Sequence, residues 1–384
     1  MTTSMTTRAE LFRGRLHYGQ EVMLHTASSG SVRYLDELYL RFSTKHGVLA
    51  LGGIRINIEY LTQISGDTIE QQIIDWLSAA DLHNDFSELL DISHQNEFLS
   101  SPVRALLDQT LHDGIARELG IPICGLWGHD LDRGVDTNQT LFWSDDGVMI
   151  ELARRYVARG YKTLKLRLGV GSFDDDLRRI EKLRNDLGGS VSLSGDVNAQ
   201  WSDEDALPRI VALEPYNLSY IEQPVSKNSW AMIERLAKES PIPVMLDESM
   251  ASSKDVDRVI SIGGQLAAHL KLIKFGGLRP LIAAGKRLTA AGIPIMVGQM
   301  NEGALATAAA AHAAIALQAL GNELYGADGI INDPAEALVY QDGKVILPEA
   351  PGIGLAFNAS KLTTCWKRNI DTREIKEPLQ QQST

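Results

Sequence analysis

The chain has 384 residues, 44% of them hydrophobic, with 49 acidic against 37 basic side chains and a net charge of −12. Such a length and apolar content suit one barrel-sized domain with a smaller companion and exclude a disordered chain. Acidity without a long block of either sign argues against nucleic-acid or anionic-membrane partners. The two distant cysteines, Cys124 and Cys365, argue against a disulfide framework or a cysteine metal site and fit a reducing cytoplasm.

Met1 to Arg8 is small and polar, and neither it nor any later stretch has the apolar length of a signal peptide or membrane span. Both ends, Glu377 to Thr384 included, read as frayed. From Ala9 to Asn57 apolar and polar residues alternate around a turn at Ser28-Ser29-Gly30-Ser31, which predicts an antiparallel sheet. Helical periodicity follows over Thr68–Ala80 and Val103–Leu119; the second run stops at Gly120, with Pro122 just beyond.

After about Asp136 short β-type runs alternate with amphipathic helices at intervals of roughly 25 to 30 residues. The β runs are Gln139–Phe142, Lys162–Leu168, Val191–Asp196, Leu218–Glu222, Val244–Asp247, His269–Leu272 and Ile293–Val297. Between them lie helices at Phe173–Leu187, Asp203–Leu213, Trp230–Lys238, Ser253–Ile262 and Leu278–Ala291, followed by an alanine-rich helix from Gly303 to Leu320. This rhythm predicts parallel pairing in an α/β barrel, with a doubly wound open sheet as the alternative. The tail breaks the rhythm with a hairpin signature at Tyr340–Val345 and then Pro-Gly-rich sequence. The predicted division is an α+β capping domain over residues 1–135, a barrel over 136–330, and a segment 331–384 that returns to complete the cap.

Three acids stand at strand ends: Asp196, Glu222 and Asp247, each roughly 25 residues after the last. One β/α unit per carboxylate puts them side by side at the C-terminal rim of a barrel, where such folds carry their active sites. A single strand-end acid is usually a helix cap or loop residue. Three converging carboxylates repel one another unless a cation sits among them, and oxygen ligands suit a hard ion such as magnesium. Basic residues flank the acids. Lys165 and Arg167 share one face of the preceding strand, and Lys271 follows on the strand after Asp247, each within an apolar run. A lysine beside a bound cation and partly desolvated has a lowered pKa and can act as a base near neutral pH.

These pieces together resemble the enolase superfamily, within it the mandelate racemase and muconate lactonizing enzyme group, over almost the whole chain. The matching segments are Thr163-Leu164-Lys165-Leu166-Arg167-Leu168-Gly169, Gly195-Asp196-Val197-Asn198, Tyr220-Ile221-Glu222-Gln223-Pro224, Leu246-Asp247-Glu248-Ser249 and Leu270 to Leu278. The resemblance implies a modified (β/α)7β TIM barrel, a cap built from both chain ends, and Mg²⁺ held by Asp196, Glu222 and Asp247. It further implies a small carboxylate substrate whose α-proton is removed to give an enediolate stabilised by the metal. Glu302 matches a family acid that hydrogen-bonds the substrate carboxylate. Asn198 and Glu248 are candidates for supporting the ligands or contacting substrate, with ordinary loop roles as the alternative. Family members are often multimeric, which implies a homo-oligomer.

The chain departs from the muconate-lactonizing pattern at Arg167, where a second lysine commonly serves as acid or base, and Gly298 stands where a racemase would carry histidine. Arginine clamps anions well and carries protons poorly. The residues therefore favour one-base chemistry, with Lys271 as base in a cycloisomerisation or β-elimination of a small organic, hydroxy or sugar acid. Epimerisation between Lys271 and Lys165, the latter's pKa depressed by Arg167, is the nearest alternative. A degenerate barrel that binds an anionic metabolite, or a metal-independent glycoside hydrolase, are the others.

Overall fold

The computed structural model describes residues 8–19, 24–44, 47–131, 134–319 and 321–370. The polar start and frayed end expected from the sequence lie almost wholly outside these. Among the described residues no helix is long and apolar enough to cross a membrane.

Eight strands run in chain order around one sheet: β1 (Gln139–Leu141), β2 (Thr163–Arg167), β3 (Ser192–Asp196), β4 (Leu218–Glu222), β5 (Val244–Leu246), β6 (Leu266–Lys271), β7 (Ile295–Gly298) and β8 (Gly321–Glu323). Every neighbouring pair is parallel. Outward side chains such as Leu164, Leu166, Leu193 and Ile221 are buried against the helices, so both faces of the sheet are covered, as parallel sheets require. Helix starts are set by serine caps: Ser172, Ser202 and Ser252 each accept the backbone N–H three residues on. The sheet is nearly closed. Across the seam between β8 and β1, Asn138 donates its backbone N–H to the Asn322 carbonyl at 2.9 Å, and Thr137 Oγ1 accepts the Leu324 N–H at 2.8 Å.

This is the barrel of the sequence analysis rather than an open doubly wound sheet. Some elements were not located in the sequence. The eighth strand, Gly-Asn-Glu, carries none of the branched or aromatic residues that mark strands, and it forms because β7 and the seam flank it. Helices at Phe86–Gln95 and Asp146–Ala158 were also missed.

The cap is a four-stranded antiparallel sheet in the order Thr363–Asn369, Arg8–Leu16, Leu35–Thr44, Gly47–Arg55. Its inner face, with Leu11, Leu38, Leu40 and Ile54, packs on helices that contribute Ile69, Ile73, Phe86, Leu106 and Leu111. Only the last strand of the tail joins this sheet. The hairpin Val339–Gln341 and Lys344–Ile346 instead pairs with Val135–Asp136, and Leu338, Val345, Leu347 and Ile353 pack in the barrel core. Its turn residues Asp342 and Gly343 have φ of 53° and 71°, as a tight hairpin turn requires.

Cap and barrel are joined by the helix Ser101–Leu119, which buries polar as well as apolar residues. Asp113 accepts the Leu51 N–H of the cap sheet at 2.8 Å and the Ile353 N–H of the tail at 2.5 Å. Asp108 accepts the Leu278 N–H, at the start of a barrel helix, at 2.5 Å and pairs with His94 at 2.7 Å and His112 at 3.2 Å. Burial would raise the Asp108 pKa, but the two histidines outweigh it and hold the carboxyl at about 2.

A folded-state pKa below the ordinary value of 3.8 means that the Asp108 contribution is present above pH 4 and lost as pH falls towards 2. Asp108→Asn is therefore expected to lower the unfolding free energy at pH 7 by about 2 kcal/mol. Urea titrations from pH 7 to pH 2 should show the native–variant difference shrinking below pH 4; a difference that stays constant rejects the assignment.

Candidate active site

Parallel strands present their C-terminal ends on one rim, and here those ends carry charge. Arg167, Asp196 and Glu222 are register partners across β2, β3 and β4, so their side chains share one row. Asp247 follows β5 directly, Lys271 ends β6 and Glu323 ends β8. All six are buried. The backbone around the acids is held in shape at some cost. Asn198, Ala199 and Gln223 have φ of 49°, 63° and 37°, in the left-handed region that costs roughly 1–2 kcal/mol for a non-glycine residue. Gln223 repays this locally, because its Oε1 accepts the Asp247 N–H at 3.0 Å and the Ser249 N–H at 3.1 Å and so fixes the loop that carries Asp247.

Cations thread between the acids. Lys165 Nζ lies 3.0 Å from Glu222 Oε2 and 3.4 Å from Asp196 Oδ2, and also contacts Glu323. Arg167 pairs with Asp196 through Nη1 and lies 3.4 Å from Asn198 Oδ1. Lys271 Nζ donates to Asp247 Oδ2 at 2.7 Å, and Lys274 Nζ to Asp247 Oδ1 at 2.5 Å. Burial raises the Asp196 carboxyl, with Arg167 opposing. Burial pushes Glu222 and Asp247 up as well, but Lys165 with His269, and Lys271 with Lys274, overcome it and hold both acids below their ordinary range.

The surrounding carboxylates govern both lysines. Burial would lower Lys165, yet Glu222 and Glu323 outweigh both burial and the neighbouring Arg167, and Lys165 is held well above its ordinary range. Asp247, then Glu323 and Glu222, likewise raise Lys271 against burial. Arg167 is thus too weak to depress Lys165, and a low pKa at Lys271 requires that positive charge first offset these carboxylates. Lys274, more dependent on burial and beside Lys271, is lowered.

The donor set suits such a charge. Ligand atoms of Glu222, Asp247 and His269 all lie within 4.8 Å of one another, the closest metal-competent group among the described residues. Asp196 stands one strand away from Glu222 with Lys165 between them. Buried oxygen donors of this kind fit a hard divalent cation. Glu222 and Asp247 belong to this group together with the His269 imidazole, and Asp196, the third acid of the sequence reading, stands beside Glu222 on β3.

Above the acids is a cavity of about 260 Å³. The barrel contributes Arg167, Asn198, Asp247, Glu248 and Lys271 to its wall, and the cap contributes Thr26, Ser28, Ser29, Arg55 and Tyr60. Lys165 does not line it and is fully buried beneath. Glu248 Oε2 is buried without a partner among the described residues, and burial beside Asp247 and Asp196 pushes this carboxyl up to about 8. Glu302 lies off the cavity wall: its carboxylate accepts the Met300 N–H at 3.1 Å and the Arg55 N–H at 3.4 Å, joining the loop after β7 to the cap. Arg55 ends the cap strand Gly47–Arg55 and Tyr60 follows it, whereas the hairpin of Leu24–Thr26 and Gly30–Val32, read from sequence only as a turn, supplies the hydroxyls.

Three site residues escaped the sequence reading of roles. Glu323 sits on the unforeseen β8. Lys274 is brought back to Asp247 because a helical turn, Leu272–Phe275, directly follows β6. His269 precedes Lys271 by two residues, and that period alone marks it as facing the barrel interior.

Residues 148–361 match the sequence model of the family described as Enolase C-terminal domain-like. Muconate cycloisomerase 1 of Rhodococcus opacus is 33% identical over 276 residues, which cover 69% of this chain and 72% of the relative. The D-Ala-D/L-Ala epimerase of Cytophaga hutchinsonii is 29% identical over 267 residues, covering 69% and 72%. Among solved structures, the muconate lactonizing enzyme from Pseudomonas fluorescens complexed with muconolactone superposes with a TM-score of 0.86 at 27% identity, over 92% of this chain and 97% of that one.

Because Lys165 neutralises three buried carboxylates, Lys165→Ala should cost about 3–5 kcal/mol of stability, the range for removing one partner of a buried pair. Urea unfolding at pH 7 in the presence of a chelator measures this; a loss under 1 kcal/mol would mean that the three acids are balanced by other groups.

Proposed function

The chain belongs to the enolase superfamily, in its mandelate racemase and muconate lactonizing enzyme group, and on that premise we propose that it is a one-base enzyme. Lys271 takes the proton α to the carboxylate of a small organic, hydroxy or sugar acid, and the reaction proceeds to cycloisomerisation or β-elimination. The observation that carries this reading is the position of the two lysines: Lys271 lines the cavity, and Lys165 is buried below it in contact with Asp196, Glu222 and Glu323. A racemase needs proton carriers on both faces of the substrate carbon; besides Lys271, the cavity wall carries Arg167 and Arg55, arginines that hold their protons, and Lys227, an exposed residue of the loop after β4.

A magnesium ion held by Asp196, Glu222 and Asp247 would supply the charge that stabilises the deprotonated substrate carboxylate. The chain's own groups do the rest. Lys271 is released from Asp247 when that carboxylate is otherwise engaged, and its Nζ then stands at the cavity wall as a neutral amine able to accept a proton. Arg167, its guanidinium over the Phe142 ring at 5.8 Å, faces the cavity as an electrostatic clamp for a leaving hydroxyl or a second anionic group. Thr26, Ser28 and Ser29 offer hydroxyls to the distal part of the substrate, and the small cavity volume favours a compact acid. Membership in this superfamily removes the glycoside-hydrolase reading, which left the interleaved cations without a role.

The test is solvent deuterium incorporation into a panel of hydroxy, sugar and amino acids, followed by NMR with and without Mg²⁺. The native chain is expected to exchange α-protons only with the metal, and Lys271→Ala to lose at least ~10²-fold of that rate. Exchange accompanied by inversion and abolished by Lys165→Ala would establish the epimerase instead. Metal binding without exchange across the whole panel would favour a degenerate binding barrel.

A further inference from the structure

His269 is buried in the barrel interior, one inward position below Lys271 on β6. Its Nδ1 lies 2.8 Å from Glu222 Oε1, while Glu222 Oε2 is bonded to Lys165 at 3.0 Å. Both oxygens of that carboxylate are thus held, from opposite sides, by groups on β6 and β2. The ring reaches Glu222 because Gly298, the register partner of Lys271 on β7, has no side chain: a Cβ there would collide with His269 Nε2. Nε2 itself has no partner among the described residues, so the imidazole makes one directed contact, and that contact is with Glu222. His269 does not line the cavity and so is not placed to touch substrate.

We infer that His269 is a positioning residue which, by donating from Nδ1, fixes the Glu222 carboxylate in the orientation needed to hold a divalent cation, with Gly298 providing the space for the ring. This rests on the metal-dependent reading above. The ring is aimed at one oxygen of a charged group rather than only filling space. Partners that orient a ligating group in this way typically contribute 10–100-fold to metal affinity.

The experiment uses Mn²⁺ alone as the probe, its affinity measured calorimetrically and its coordination by pulsed electron paramagnetic resonance. His269→Ala is expected to weaken Mn²⁺ binding 10–100-fold while keeping a cooperative thermal transition in chelator. His269→Asn, whose amide can place an N–H close to the Nδ1 position, should restore affinity to within about threefold, a rescue that loss of packing would not allow. Gly298→Ala, which displaces the ring without touching it chemically, should reproduce the loss. The native Mn²⁺ spectrum should lack the coupling of a directly bonded nitrogen. Equal affinity in native chain and His269→Ala, or a directly bonded ¹⁴N, overturns the positioning role alone. Failure of the native chain to bind Mn²⁺ overturns the metal reading, and this inference with it.

Discussion

Charge balance in a water-poor barrel end is the constraint on which the rest of this structure depends. A buried carboxylate without compensation costs several kcal/mol, and the effective penalty grows as further like charges approach. Here Asp196, Glu222, Asp247 and Glu323 crowd one rim, and Lys165, Arg167, Lys271 and Lys274 are interleaved so that each acid touches at least one cation. Lys165 and Arg167 stand on β2, Lys271 on β6 and Lys274 on the helical turn after it, so the cations flank β3, β4 and β5. The same pairs that compensate the acids raise Lys271 against burial. Under the proposed reaction, folding and reactivity are set by one group of contacts.

The cap makes that rim a site. Without it the acids and lysines would face open solvent, where attraction between charges is weak. Arg55 and Glu302 join the cap edge to the loop after β7, and Glu37 accepts the Gly303 N–H at 2.6 Å beside them. Asp108 and Asp113 fasten the opposite side through the helix Ser101–Leu119. The cavity is consequently enclosed by two elements whose relative placement is determined by buried polar contacts, which are directional, rather than by apolar packing alone.

Much of this was legible in the sequence, for identifiable reasons. Strands β2 to β6 announce themselves because apolar residues facing the helices alternate with the few polar residues that face inward, as in Leu164-Lys165-Leu166-Arg167. Helices such as Phe173–Leu187 and Asp203–Leu213 carry serine caps and clear periodicity and were located to the residue. What stayed hidden depends on partners distant in sequence. Gly321-Asn322-Glu323 becomes a strand only through its neighbours, and His269 acquires meaning only from Glu222 on another strand and from a missing side chain at Gly298. The carboxylates that raise Lys165 and Lys271 were not legible either, because a residue's electrostatic surroundings are the sum over several strands, whereas the sequence displays one strand at a time.

The cap sheet pairs Arg8–Leu16 with Leu35–Thr44 on one side and with Thr363–Asn369 on the other, so its edge strand comes from the opposite end of the chain. During synthesis the N-terminal strand leaves the ribosome with one of its two edges unpaired, and that edge is satisfied only after residue 363 has been made. The barrel, whose contacts run between consecutive strands, can assemble in the interval, while the cap waits on the longest loop closure in the molecule. The outer edge of the cap sheet is thus the last part of that sheet to be completed, after both the charged rim and the cap residues of the cavity wall have been made.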